Sequence, residues 1–214
     1  MSGGMAPAAN ESGERGRRRL PDSDRAGSGD MKARGGKESP GREDESRPRE
    51  DESQGWEDKM KVALGSDHAG YALKLQVEEW LRRDGHEVID EGTFSERSCD
   101  YPDFALGVAR RVAGGEAERG IAICATGIGM AMAANKVPGI RAAVCNDIYT
   151  ARYSRLHNDA NVLALGARVV GPGVAEEIVR TWMETPFEGG RHSRRLEKIA
   201  GIEGAREGEE GGRA

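Results

Sequence analysis

The chain has 214 residues, a formal net charge of −5 and a pI near 5.6. That balance argues against nonspecific binding to nucleic acid or to an anionic membrane, because both need a basic face. No apolar run approaches the roughly 20 residues that span a bilayer, the N-terminus lacks an apolar signal core, and three cysteines without paired spacing suit a reducing, cytoplasmic setting better than a disulfide framework.

Residues 1–58 are mostly Gly, Ser, Pro, Arg, Asp and Glu. Such a segment cannot bury enough apolar surface to offset its ordering entropy, so it is expected to be a disordered extension. Arg15, Arg17, Arg18 and Arg19 in it form either a small basic interaction patch or part of a solvated mixed-charge tail. Composition changes near Trp56, and Met60 is a candidate translation start. The folded domain is expected over 60–204, with 205–214 a polar tail that frays.

Within 60–204 apolar runs alternate with helical periodicity. Residues 61–65 read as a buried strand ending at Gly65. Leu73, Val77, Trp80 and Leu81 mark a helix over 71–84, stopped by Gly85. A short strand follows at 87–90, then a helix over 101–113 with Pro102 in its first turn. Residues 119–124 form a third strand, and a glycine-rich turn leads into a helix over 130–136. A fourth strand is expected at 140–145 and a helix from Asp147 to about His157, with Asp147 as its cap. A fifth strand spans 161–165, with helices over 173–184 and 191–202. Five strands each followed by a helix imply an α/β fold, a parallel sheet covered on both faces. Right-handed crossovers then set the strand-to-helix loops along one edge, where ligands bind in such folds.

Four segments carry candidate chemistry. After the first strand, Asp67 and His68 either handle substrate hydroxyls and phosphate, or serve as a helix cap and an incidental polar residue. After the third, Cys124-Ala125-Thr126-Gly127-Ile128-Gly129 offers free amides at a helix start, an anion site at which a thiolate is stabilised. The alternative makes Cys124 a small buried apolar residue. His157, at a helix C-terminus, is either an acid held protonated by the dipole or a cap for the last carbonyls. Arg191 and Arg195, four apart at the start of the last helix, either clamp a phosphate or form a solvated basic turn. Cations at a helix start oppose the dipole, which favours the clamp. His86 and Cys145 read as structural, and Cys99 is not assigned a role. No metal-ligand spacing occurs among the cysteines and histidines, so neither metal nor cofactor is expected.

Taken as an ordered set, Gly65-Ser-Asp-His-Ala-Gly70, Asp100-Tyr-Pro-Asp103, Cys124-Ala-Thr-Gly-Ile-Gly129, Ala134-Asn-Lys136, Ser154-Arg-Leu-His-Asn-Asp159, Asn161-Val-Leu-Ala-Leu-Gly-Ala-Arg168 and Glu188-Gly-Gly-Arg-His192 resemble the type B ribose-5-phosphate isomerase family, which includes galactose-6-phosphate isomerase subunits. The resemblance implies a Rossmann-like three-layer α/β/α sandwich with a five-stranded parallel sheet. It also implies a homodimer or tetramer whose active sites draw on the neighbouring subunit. The implied reaction is interconversion of ribose 5-phosphate and ribulose 5-phosphate through an enediolate, without metal. By the same resemblance Cys124 is the base, and Thr126 with the amides of Ala125, Gly127, Ile128 and Gly129 stabilises the enediolate. His157 is the ring-opening acid; Asp67, His68 and Asn158 contact substrate; Arg191, Arg195 and Arg168 hold phosphate. Two departures stand out. Ala125 replaces a glycine and is harmless only where φ stays negative. Met130 lies where one branch of the family carries a glutamate base, which points to the cysteine branch. A six-carbon sugar phosphate as substrate and a non-catalytic phosphosugar-binding module are the alternatives.

Overall fold

The computed structural model describes residues 59–210, with side chains described as far as residue 203; the expected N-terminal extension, with its arginines, lies outside the described residues. The order is β1 (Lys61–Ser66), α1 (Tyr71–Arg83), β2 (Glu87–Asp90), α2 (Tyr101–Ala113), β3 (Arg119–Cys124), α3 (Ile128–Ala134), β4 (Ala142–Val144), α4 (Ile148–Leu156), β5 (Val162–Gly166), α5 (Pro172–Glu184), a 3-10 turn (Gly190–His192) and α6 (Ser193–Glu210). The five strands pair in the order β2-β1-β3-β5-β4, all parallel, as the alternation of runs implies.

Strand side chains alternate between two unlike faces. Val62, Leu64, Ile121, Ile123, Leu163 and Leu165 pack with α1 and α5 residues such as Leu73, Val77, Ile178 and Trp182. Ala63, Ala122, Cys124 and Ala164 face α2 and α3. Small residues on that face let the helices sit close: a Cβ at Gly120 would lie 2.6 Å from the Val108 side chain. This choice of small residues also turns Cys124 toward α3, the helix that its own loop starts.

Three elements differ from the sequence reading. β4 covers only Ala142–Val144, because the Arg141 amide bonds the Asn161 side chain at 2.8 Å and its guanidinium reaches back to the carbonyls of Asn158 and Asp159. α3 starts at Ile128, earlier than expected, and has seven residues. The last helix is preceded by a 3-10 turn and runs to Glu210 rather than ending near 202; the helix-forming Ala205, Arg206, Glu207, Glu209 and Glu210 outweigh the interspersed glycines. No described helix is long and apolar enough to cross a membrane.

Candidate active site

β1 pairs with β2 on one side and β3 on the other, so the loops after β1 and β3 diverge around a crevice at the carboxyl edge of the sheet. In the first loop Asp67 is 6% exposed, and its Oδ1 accepts from the amides of Ala69 and Gly70 at 2.9 and 3.0 Å. That carboxylate holds the turn before α1, whose N-cap is Gly70 and carries no side-chain cap bond. Gly70 is required here, since a Cβ would meet the Ile123 carbonyl oxygen at 2.6 Å. His68 is half-buried, and its Nδ1 accepts from the Cys99 amide at 3.3 Å, with Cys99 Sγ 3.9 Å away. A neutral ring that accepts at Nδ1 carries its proton on Nε2 and offers it as a donor.

In the second loop Cys124 is 5% exposed, and its Sγ accepts from the Gly127 amide at 3.2 Å. The contact needs the left-handed backbone of Gly127 (φ 78°), where a Cβ would lie 3.0 Å from the Leu165 main chain. Thr126 is exposed beside Cys124, and its Oγ1 accepts from the Ile128 amide at 3.4 Å. The expected cradle is therefore narrower than the sequence suggests, because the Gly127 and Ile128 amides have partners within the loop. A seven-residue α3 also has only a small dipole to add. Ala125 is not among the positive-φ residues, so its methyl group brings no backbone strain. The turn after β5 buttresses the loop: the amides of Ala167 and Arg168 donate to the carbonyls of Cys124 and Ala125 at 2.8 and 3.0 Å. Arg168 itself is exposed on this edge. Met130 is fully buried.

Beneath this edge, Lys74 of α1 is fully buried, and its Nζ lies 2.6 Å from both carboxylate oxygens of Asp90 at the end of β2. Asp90 also accepts from the Gly92 amide at 2.8 Å. The ion pair thus anchors the segment that carries Cys99 to His68.

The other candidates gather at the amino edge, where α4 and α5 end. α4 starts at the carboxyl edge, where Asp147 caps it as expected, accepting from the Thr150 amide at 2.7 Å, and ends at the amino edge. His157 is the C-cap, its amide bonded to the Tyr153 carbonyl at 3.0 Å. Its ring stacks on His192 with centroids 4.2 Å apart and planes 8° from parallel. Glu188 Oε2 lies 3.6 Å from His157 Nε2 and 3.7 Å from His192 Nε2. Arg191 Nε donates to His192 Nε2 at 3.2 Å, and Arg195 Nη1 lies 3.4 Å from its Nδ1. Arg191 belongs to the 3-10 turn and Arg195 to the first turn of α6, so the two do not share one helix face as expected; they converge through His192. That residue is 2% exposed, and burial, then the neighbouring His157, hold its pKa below the ordinary imidazole value, with both arginines adding to the effect and Glu188 opposing it. The exposed Asn158 precedes Asp159, which adopts φ 43° and is gripped by Arg155 and Arg141 at 2.8 and 2.9 Å. Arg119 and Arg155 also cap the last carbonyls of α5, including Trp182 at 2.8 Å and Thr185 at 3.3 Å. Burial, with the nearby Arg155, lowers the Arg119 pKa to about 10.

His157, Glu188 and His192 present three donor atoms within 4.8 Å of one another. Two guanidinium groups against His192 make the cluster a poor seat for a dication and a good one for an anion. Sequence reasoning missed three participants: Glu188, His192 and Cys99. The four-residue spacing of Glu188 and His192 was the available signal.

Asp67, His68, Cys124, Thr126 and Arg168 thus lie at one edge, and His157, Asn158, Arg191 and Arg195 at the other. The six residues of β3 separate these edges by roughly 17 Å at about 3.3 Å per step. His157 and the arginines follow helices, and so return to the edge where strands begin, away from the strand-to-helix loops that the sequence places along the carboxyl edge.

The family model described as Ribose/Galactose Isomerase matches residues 62–199. The chain belongs to the ribose/galactose isomerase family. Ribose-5-phosphate isomerase B of Escherichia coli is 52% identical over 143 residues, 67% of this chain and 96% of its own length. D-Erythrulose-4-phosphate isomerase of Pectobacterium atrosepticum is 43% identical over 141 residues, 65% of this chain and 93% of its own. The solved structure of Clostridium thermocellum ribose-5-phosphate isomerase B matches this isomerase with a TM-score of 0.68 at 57% identity, covering 69% of this chain and 99% of that one. The Rossmann-like sandwich is therefore shared with relatives whose names carry different sugar phosphates.

Proposed function

We propose that this isomerase interconverts ribose 5-phosphate and ribulose 5-phosphate through an enediolate, in sites formed between two copies of the chain. The observation that carries the reading is Cys124 Sγ at the carboxyl end of β3, receiving the Gly127 amide at 3.2 Å beside an exposed Thr126. The Cys124 thiolate removes the proton from C2 of the open aldose. The electron pair moves into the carbonyl, and loop amides and Thr126 steady the resulting oxyanion at O1; the O2 hydroxyl proton passes to O1 by way of solvent, and the same sulfur returns its proton to C1 as the C2 carbonyl forms.

Ring opening comes first. As the C1–O4 bond breaks, His157 gives a proton to O4 while the C1 hydroxyl loses one to solvent. O4 is bonded to C4, whose neighbour C5 bears the phosphate, so the acid and the phosphate clamp must be close together. His157 stacked on the ring that Arg191 and Arg195 hold meets that demand. C1 and C2 lie at the far end of the sugar and need the other edge. No pentose phosphate bridges roughly 17 Å of strand, so the amino edge of one copy must meet the carboxyl edge of a second. Exposed Ile128 and Met132 on α3 and Tyr149 on α4 supply apolar surface for such a pairing. The catalytic unit is then residues 60–204.

The test is an isomerisation assay on ribose 5-phosphate, allose 6-phosphate and galactose 6-phosphate, with and without chelator. Ribose 5-phosphate should give the highest kcat/KM, unchanged by chelator. A clear preference for a hexose phosphate would shift the reading to the six-carbon alternative, and binding without turnover would sink the enzyme reading altogether.

A further inference from the structure

We propose that His192 is a positioning residue that couples occupancy of the phosphate clamp to protonation of His157, an inference that rests on the function proposed above. Arg191 and Arg195 approach the two nitrogens of one buried ring. A neutral imidazole has one lone pair, and guanidinium groups only donate. Arg191 Nε takes the lone pair at Nε2, so the N–H at Nδ1 faces Arg195, donor against donor. The Nδ1–H and the Arg195 guanidinium are thus two donors that one oxyanion between them would satisfy, while Arg191 holds the other side of the ring.

The same ring lies parallel to His157 at 4.2 Å. Two imidazoles this close do not both carry a proton readily, so a charge on one bears on the other. The charged and titratable groups facing the pair are Glu188 from the segment before the 3-10 turn, Arg191 from the turn, Arg195 from α6 and Tyr153 from α4, whose ring centroid is 4.8 Å from that of His157. With the clamp empty, the two guanidinium groups disfavour a proton on His192, and Glu188 opposes them in part. A phosphate dianion cancels their charge. Glu188, near both Nε2 atoms and half-exposed, then supports the proton on the more accessible ring, His157. The acid is charged when a phosphorylated sugar is present to receive its proton, and sugars without phosphate open slowly.

The experiment follows His157 by NMR titration of the full chain, with and without inorganic phosphate, in the unmodified protein and in His192→Phe, which keeps the stacked ring and removes both nitrogens. In the unmodified protein, phosphate should raise the His157 pKa by about one unit, a tenfold change in protonation; His192→Phe should lose most of that shift. In kinetics, His192→Phe should lower kcat on ribose 5-phosphate about tenfold and move the acid limb of its pH profile. No phosphate-dependent shift in the unmodified protein overturns the proposal, and that reading does not require the variant to fold. A His192→Phe variant that loses rate with an unmoved pH profile also overturns it, as a merely structural role. Unmodified protein that turns over no ribose 5-phosphate would instead remove the underlying function while leaving the titration interpretable.

Discussion

The two edges of the sheet are built on different plans. At the carboxyl edge, the candidate groups are one thiol and the main chain around it, a left-handed glycine and amides within one stretch of six residues. At the amino edge it sits on side chains brought together from distant segments, with His157 and His192 stacked and two arginines converging on one ring. The first edge suits a charge that develops on sugar oxygens next to a moving proton, where fixed dipoles need no reorganisation. The second suits a charge already present on the ligand, where long cationic side chains supply orientation. Each rests on a buried cation: Lys74 paired with Asp90 below the carboxyl edge, and Arg155 holding Asp159 and the α5 terminus at the amino edge.

If the division is right, lesions at the two edges differ in kind. Cys124→Ala should reduce turnover about a thousandfold or more, the loss expected for a positioned general base, while leaving KM and thermal unfolding nearly unchanged; kcat within tenfold of the unmodified protein would break the assignment. Arg191→Ala should act mainly on KM, raising it about 10- to 100-fold as a charge-assisted contact to phosphate is lost; a fall in kcat at constant KM would blur the two plans. Lys74→Ala should cost about 3 kcal/mol of stability, because it leaves Asp90 without its partner. Chemical denaturation measures that cost, and a loss below about 1 kcal/mol would mean that the pair behaves like a surface ion pair.

The carboxyl edge was legible in the sequence because its information is local. A strand, a cysteine, two glycines and a helix start lie in succession, and α2 was read with both ends correct because Pro102 and Gly114 punctuate it. The amino edge was only half legible. His157 and Arg191 were identifiable singly, but the ring stack depends on how α4 and α5 return beneath the sheet, which periodicity does not encode. β4 was read too long for a related reason. Ile140 and Arg141 directly precede a true strand and extend its run, yet Arg141 is committed to the Asn158–Asp159 turn. Cys99 escaped assignment because its partner, His68, is 31 residues away along the chain.

The most direct test of a site shared between opposite edges is complementation between two inactive variants. Cys124→Ala and the double variant Arg191→Ala/Arg195→Ala are mixed, dissociated and reassociated, then assayed at ribose 5-phosphate well below KM. A mixed pair of copies contains one site with both lesions and one with none, so random pairing should restore about a quarter of the unmodified rate. Activity that stays at the sum of the separate variants, despite demonstrated exchange of copies, would contradict the account.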